Sequence, residues 1–163
     1  MSEVAAIVEA NARYAGGFRK GDLLPPPRRR LAILTCMDAR IDPAKALGLD
    51  EGDAHVLRNA GERASDDIRS LVISTHLLGT REILVIHHTD CGMRAVTNED
   101  MREQLRRNLG VDASPVDFLP LSDLDESLQQ DVATIRSSPL LPSDIGVHGF
   151  VFDVRTGRLR DVC

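Results

Sequence analysis

The sequence is poor in aromatic residues and has no long apolar segment. Its 163 residues include no Trp, one Tyr and four Phe, so a hydrophobic core has to be built from Leu, Val, Ile and Ala. No uncharged apolar run approaches the roughly 18 residues that a membrane span requires. The first ten residues carry Glu3 and Glu9 and no basic cluster, unlike a secretory signal peptide. We therefore expect no membrane partner.

Cysteines are few, and the 25 acidic residues outnumber the 20 basic ones. Three cysteines that lie far apart, Cys36, Cys91 and Cys163, make a poor disulfide framework, and we expect reduced thiols in a cytoplasmic protein. The formal net charge is −5 at pH 7, and the basic cluster PPPRRR at 25–30 has no aromatic neighbours that would stack on bases. These features argue against a nucleic-acid partner.

Apolar periodicity predicts an alternation of strands and helices. Apolar runs of strand length cover 31–36, 54–60 and 83–88, and helical patterns cover 3–14, 65–79, 98–109 and 122–136. Residues 149–162 are typical of a hairpin around a Thr-Gly turn. The alternation predicts an α/β fold with a mostly parallel central sheet flanked by helices, in strand order 2-1-3-4 with an added antiparallel edge strand.

The length of the chain fits a single domain over 1–163. Two parts are expected within it: an N-terminal helical arm over 1–24 and an α/β core over 25–163. The Pro-rich segment that begins at residue 25 separates them.

Side chains with metal-binding chemistry stand at the ends of two predicted strands. Cys36 ends the first strand, His88 ends the third, and Cys91 follows three residues later. In an open sheet of order 2-1-3-4, ligands bind at the carboxyl ends of the first and third strands, where the strand order reverses. Thiolate and imidazole are ligands that zinc prefers, and three protein ligands leave a fourth position open, as in catalytic zinc sites.

Taken singly, these motifs are also compatible with roles other than metal binding. A His-x-x-Cys spacing arises by chance, and a free cysteine is commonly a small buried hydrophobe. A nucleophilic pair also stays open, with either cysteine as nucleophile and His87 or His88 as base. The run CMDAR favours a functional site, because the charges of Asp38 and Arg40 beside a buried strand need partners.

Two short runs together resemble the motifs of β-class carbonic anhydrases. They are CMDAR at 36–40 and HHTDC at 87–91, which match a Cys-x-Asp-Ser/Ala-Arg motif and a later His-x-x-Cys. RNAG at 58–61 and GFVFDVRTGRL at 149–159 also look like that family. The resemblance runs from roughly residue 30 to 162 and is to the compact prokaryotic type.

The resemblance implies a ligand set and a reaction. Cys36, His88 and Cys91 would bind one Zn²⁺ per chain, and Asp38 and Arg40 would form the catalytic pair beside it. The implied activity is that of a lyase, carbonic anhydrase, which hydrates CO2 reversibly to bicarbonate and a proton by a zinc-bound hydroxide. The implied assembly is a homodimer or homotetramer in which the N-terminal helix packs onto a neighbouring subunit.

Two departures from the family pattern are Ala39, where many members have Ser, and the run that follows RNAG. His87 falls outside the His-x-x-Cys spacing and is not expected to bind the metal. After RNAG the chain reads ERASDD at 62–67, where family members usually begin with small or apolar residues. We therefore expect Glu62 and Arg63 near the mouth of the site.

Two other functions fit the same motifs. A hydrolase of COS or CS2 would use the same metal site on another linear substrate. A non-catalytic zinc-binding module would result if Asp38 closed the fourth position permanently. Neither motif identifies a residue that would bind the substrate.

Overall fold

The computed structural model describes residues 2–163, which form a five-stranded sheet with five α-helices. The strands are β1 (Leu31–Cys36), β2 (Ala54–Asn59), β3 (Glu82–His88), β4 (Gly146–Phe152) and β5 (Leu159–Asp161). Their order is β2-β1-β3-β4-β5. The first four are parallel, and β5 pairs antiparallel with β4. The predicted strand order and the added antiparallel edge strand are confirmed.

The helices agree with the sequence patterns in place and differ at their ends. They are α1 (Glu3–Gly17), α2 (Pro43–Leu47), α3 (Ala64–His76), α4 (Asn98–Leu109) and α5 (Leu124–Arg136). The short α2 was not predicted; Asp42 caps it by accepting a hydrogen bond from the Lys45 amide. The helix α3 begins at Ala64, with Arg63 as its N-cap, and not at 65, because the Ala64 amide donates to Asp131 of α5 at 2.9 Å.

Helices and loops cover both faces of the sheet, which explains the uninterrupted apolar character of β1. Successive side chains of a strand point to opposite faces. Ala32 and Leu34 lie in the cluster formed with α3 and α5, whereas Ile33 lies in the cluster on the other face. All three are fully buried, and burial of apolar surface of this kind is the main stabilising term of a fold.

The helix α1 lies apart from this core. Against the described part of the chain it buries none of its residues. Its contacts include a 2.8 Å hydrogen bond from Tyr14 Oη to Glu51. Val4, Ile7 and Val8 are each more than 60% exposed. Among residues 2–163, none of the helices has the length and apolarity needed to cross a membrane.

We predict that Leu128→Ala lowers the free energy of unfolding by about 2–5 kcal/mol, because it leaves a cavity between α5 and the sheet. Leu128 is fully buried. Leu109→Ala is the matched control: this side chain is 68% exposed, and the expected change is within about 0.5 kcal/mol. Urea denaturation of both variants at one protein concentration and metal content measures the difference. Equal losses would contradict the assigned core.

Candidate metal centre

The parallel pairing of β1 with β3 brings the two sequence motifs to one edge of the sheet. Leu31 lies opposite Glu82 and Thr35 opposite Ile86, so Cys36 and His88 end neighbouring strands. This edge is where parallel sheets bind ligands. Cys91 follows His88 on the turn after β3, where Asp90 adopts a left-handed φ of 59°, a conformation that Asp tolerates better than most residues.

Four side chains converge at this edge. Ligand atoms of Cys36, Glu62, His88 and Cys91 all lie within 4.8 Å of one another, and all four residues are buried. His88 Nδ1 donates a 2.9 Å hydrogen bond to the Thr89 carbonyl, which leaves the Nε2 lone pair directed at the cluster. Among the described residues, His88 Nε2 has no hydrogen-bond partner. A backbone carbonyl that fixes the ring in this way is typical of metal-binding histidines.

The cluster has the donor chemistry of a zinc site. Both cysteines are free thiols. The Cys91 thiol donates to the Cys36 sulfur and lowers the pKa of Cys36. The same contact, together with burial, raises the pKa of Cys91, so the second thiolate forms readily only beside a cation. Two thiols and an unpartnered imidazole nitrogen are the donors that Zn²⁺ prefers, and these residues therefore fit a zinc ion.

Asp38 and Arg40 form a rigid pair at the rim of the cluster. Arg40 donates to Asp38 from Nε to Oδ1 at 3.0 Å and from Nη2 to Oδ2 at 2.7 Å. Arg40 is held in turn by Asp90, with Nη1 2.8 Å from Oδ2. The guanidinium keeps the pKa of Asp38 well below its usual range. Asp38 Oδ2 lies 3.9 Å from His88 Nε2, so an anionic acceptor is fixed next to the cluster.

A second arginine, Arg58, holds the backbone of the same loop. Its Nε donates to the Cys36 carbonyl at 2.8 Å and its Nη2 to the Asp38 carbonyl at 2.7 Å. The residue belongs to RNAG, but no role for it was predicted from the sequence. The signal was its place on β2, one residue before the strand end, beside the strand that carries Cys36.

The position of Glu62 differs from the sequence prediction, because the residue lies inside the cluster and not at its mouth. The side chain is fully buried. The chain turns inward after β2 because Gly61 and Glu62 both adopt left-handed conformations, with φ of 79° and 56°. Burial, followed by the charges of Cys36 and Asp131, raises the pKa of Glu62 to about 9.

Arg63 and His87 point to a second buried acid, Asp131. Arg63 Nη1 lies 3.4 Å and His87 Nε2 lies 3.2 Å from Asp131 Oδ2, so both side chains are directed at this acid. His87 lies on the opposite face of β3 from His88, outside the four-residue cluster, because neighbouring residues of a strand alternate. Asp131 was not predicted from the sequence, although it stands on the apolar stripe of α5, seven residues after Leu124.

Comparison with known proteins finds relatives that are described as carbonic anhydrases. A family model described as "Carbonic anhydrase" matches residues 31–159. Beta-carbonic anhydrase 1 of Mycobacterium tuberculosis is 46% identical over 155 residues, covering 93% of each chain. The crystal structure of a Streptococcus mutans carbonic anhydrase superposes with a TM-score of 0.95 at 51% identity, covering 100% of this chain and 99% of that one. A carbon disulfide hydrolase of Acidianus sp. is 37% identical over 160 residues, covering 83% of this chain and 78% of the hydrolase.

We predict that Cys36→Ser and Cys91→Ser each reduce bound zinc from about one ion per chain to a small fraction, because each removes a preferred donor. Cys163→Ser is the matched control and is expected to keep its zinc, since Cys163 packs against the core cluster of α3 and α5. Metal analysis after zinc loading and dialysis measures the content. Equal zinc content in all three variants would contradict the assigned centre.

Proposed function

Because this chain belongs to the β-carbonic anhydrase family, we propose that it catalyses the reversible hydration of CO2 to bicarbonate and a proton. We assign Cys36, His88 and Cys91 as the ligands of one Zn²⁺ per chain, and Asp38 and Arg40 as the catalytic pair. The observation that carries the proposal is the joint position of these groups: three zinc donors in one buried cluster, with an arginine-held carboxylate 3.9 Å from the imidazole nitrogen.

Zinc, when bound, supplies a Lewis acid that makes water nucleophilic near neutral pH. The two thiolates and the neutral imidazole of this chain balance the charge of the ion, so they weaken that effect compared with three histidines. We therefore expect activity to rise as the pH increases above neutral. The thiolates thus set the working pH range of the site.

Asp38 has the position and charge of a hydrogen-bond acceptor for the reacting water. An ionised carboxylate only accepts hydrogen bonds, and the contact with Arg40 keeps Asp38 ionised because its pKa is well below the usual range. Accepting a hydrogen bond from that water would orient a lone pair of its oxygen toward CO2. Arg40 acts by holding Asp38 in place, and Asp90 and the Asp90 carbonyl in turn fix Arg40. Orientation of this kind is a large part of enzymatic rate enhancement.

A hydrolase of CS2 or COS is the second candidate. The similarity to a carbon disulfide hydrolase favours it, and a linear triatomic substrate would meet the same donors. Comparing the rates of CO2, COS and CS2 conversion on one zinc-loaded sample separates the two candidates.

The proposed assembly is a homodimer or homotetramer in which α1 packs on a second copy of the chain. Three large apolar side chains on one side of α1, Val4, Ile7 and Val8, are exposed. Their burial against a neighbouring subunit would be favourable by about 25 cal/mol for each Å² removed from water.

We further propose that 1–24 acts as an arm on an α/β core over 25–163. We also propose that the protein works in the cytoplasm, where its thiols stay reduced.

We predict that Asp38→Ala and Arg40→Ala each lower CO2 hydration by about 100-fold or more, while zinc stays near one ion per chain. The matched control is Arg28→Ala, which breaks a similar pair with Asp53, of 2.7 Å, on the protein surface and should keep the activity. Stopped-flow CO2 hydration between about pH 6 and 9 measures the rates. Absence of activity at every pH in the zinc-loaded parent protein would contradict the proposed function. Loss of zinc in both rim variants would show instead that the pair is structural.

We predict that the double variant Ile7→Glu, Val8→Glu shifts the protein toward monomers, because charged side chains at an interface would have to be desolvated. Ala6→Glu introduces one such charge on the opposite side of α1 and serves as the control. Sedimentation velocity gives the mass of each. An unchanged oligomer in the double variant, or a monomeric parent protein, would contradict this assembly.

A further inference from the structure

Glu62 is a buried ionisable group for which the mechanism gives no role. It lies directly after RNAG, and it is fully buried although it carries a carboxyl group. A left-handed φ in a residue other than glycine is uncommon, and strained backbone of this kind clusters at functional sites. At 62 the left-handed backbone, with φ of 56°, turns the carboxyl group into the cluster of Cys36, His88 and Cys91.

The facing atoms of Glu62 and His88 have no hydrogen-bond partner within the described residues. Glu62 Oε1 lies 3.4 Å from His88 Nε2, and within residues 2–163 neither atom has a hydrogen bond. The carbonyl of Thr89 can only accept, so His88 Nδ1 is the donor there and Nε2 of the neutral ring is an acceptor. Two buried acceptors that face each other are favourable only when a proton or a cation lies between them.

Glu62 lies close enough to the other three donors to share one ion with them, because ligand atoms of all four residues lie within 4.8 Å of one another. For zinc bonds of about 2.0–2.2 Å to nitrogen and oxygen and about 2.3 Å to sulfur, the nitrogen and oxygen of two ligands would be about 3.4 Å apart, and sulfur and oxygen about 3.6 Å. The observed distances are 3.4 Å from Glu62 Oε1 to His88 Nε2 and 3.9 Å from Oε2 to Cys91 Sγ. The carboxylate is therefore within coordinating reach without any rearrangement of the backbone.

Asp38, the other carboxylate near the cluster, is occupied elsewhere. Both of its oxygens accept hydrogen bonds from Arg40, and Oδ1 accepts a further one from the Arg40 amide at 2.8 Å. Glu62 Oε1 has no such bond within the described chain. Of the two carboxylates, only Glu62 has an oxygen without a hydrogen bond in the described chain, since its Oε2 accepts from the Cys91 thiol at 3.9 Å and its Oε1 from no group.

We propose that Glu62 is the fourth protein donor of the zinc centre and closes it in the resting protein, so that turnover requires water to displace this carboxylate. The proposal rests on the proposed function for its metal and its reaction. Two thiolates and one carboxylate around Zn²⁺ give a centre with a formal charge of −1. Such a centre binds exogenous anions weakly, both because the fourth position is filled and because the charge repels them.

Anion binding to the cobalt-substituted protein tests the proposal. Co²⁺ is loaded in place of zinc, and the change of its visible spectrum is titrated with azide. We expect weak azide binding in the parent protein and binding at least about tenfold tighter in Glu62→Gln and Glu62→Ala, since both open the fourth position. Zinc affinity, measured by competition with a chromophoric chelator, is expected to fall by about 10–100-fold in the same variants.

Two further variants make the test specific. Glu82→Gln removes an exposed glutamate at the start of β3 and should match the parent protein in both measurements. Asp38→Asn should leave azide binding weak if Glu62 fills the fourth position. Tight azide binding to the parent protein would overturn the proposal even if the Glu62 variants failed to fold. Unchanged zinc affinity in both Glu62 variants would also overturn it, as would azide binding that tightens in Asp38→Asn and not in them.

CO2 hydration is measured on zinc-loaded samples of the same proteins. Its absence from the parent protein and from every variant would contradict the proposed function. The cobalt spectra and the chelator competition would still decide whether Glu62 binds the metal, so failure of one proposal is distinguishable from failure of the other.

Discussion

The parallel pairing of β1 with β3 is the constraint on which the candidate site depends. It places Cys36 beside His88, although 52 positions separate them in the sequence, and the turn after β3 adds Cys91. Both strands are buried between helices and loops on the two faces of the sheet. A slip of one residue in either strand would exchange its two faces, so the packing of the core also fixes the position of the metal donors.

Around this constraint the chain places three carboxylates in different electrostatic environments. Asp38 is held ionised at the rim by Arg40, Glu62 is buried among the metal donors, and Asp131 is buried on the other face beside His87. A buried charge is stable only with partners. Arg63 and the Ala64 amide are the partners of Asp131, whereas the partner of Glu62 would be a cation. Asp38 is therefore placed to accept hydrogen bonds, and Glu62 is placed to bind a metal ion.

Much of the fold could be predicted from the sequence, because the strands are short apolar runs between helical patterns. The strand order and the helix α4 at 98–109 are confirmed, and the three donors were placed at one sheet edge by the topology of parallel sheets. Glu62 was predicted at the mouth of the site and not within it, because its burial depends on two successive left-handed residues that no local sequence pattern indicates. The first residue of α3 differs from the predicted one for a related reason: its amide donates a hydrogen bond to a side chain of α5, which is distant in sequence.

The central claim is that Cys36, His88 and Cys91 hold the zinc ion while Arg40 holds Asp38 away from it. The most direct measurement is anomalous diffraction at the zinc absorption edge from crystals of the zinc-loaded protein. We expect one anomalous peak per chain, bonded to both sulfurs and to His88 Nε2, with Asp38 on Arg40. A peak elsewhere, or a disulfide between Cys36 and Cys91 in place of the ion, would contradict the account.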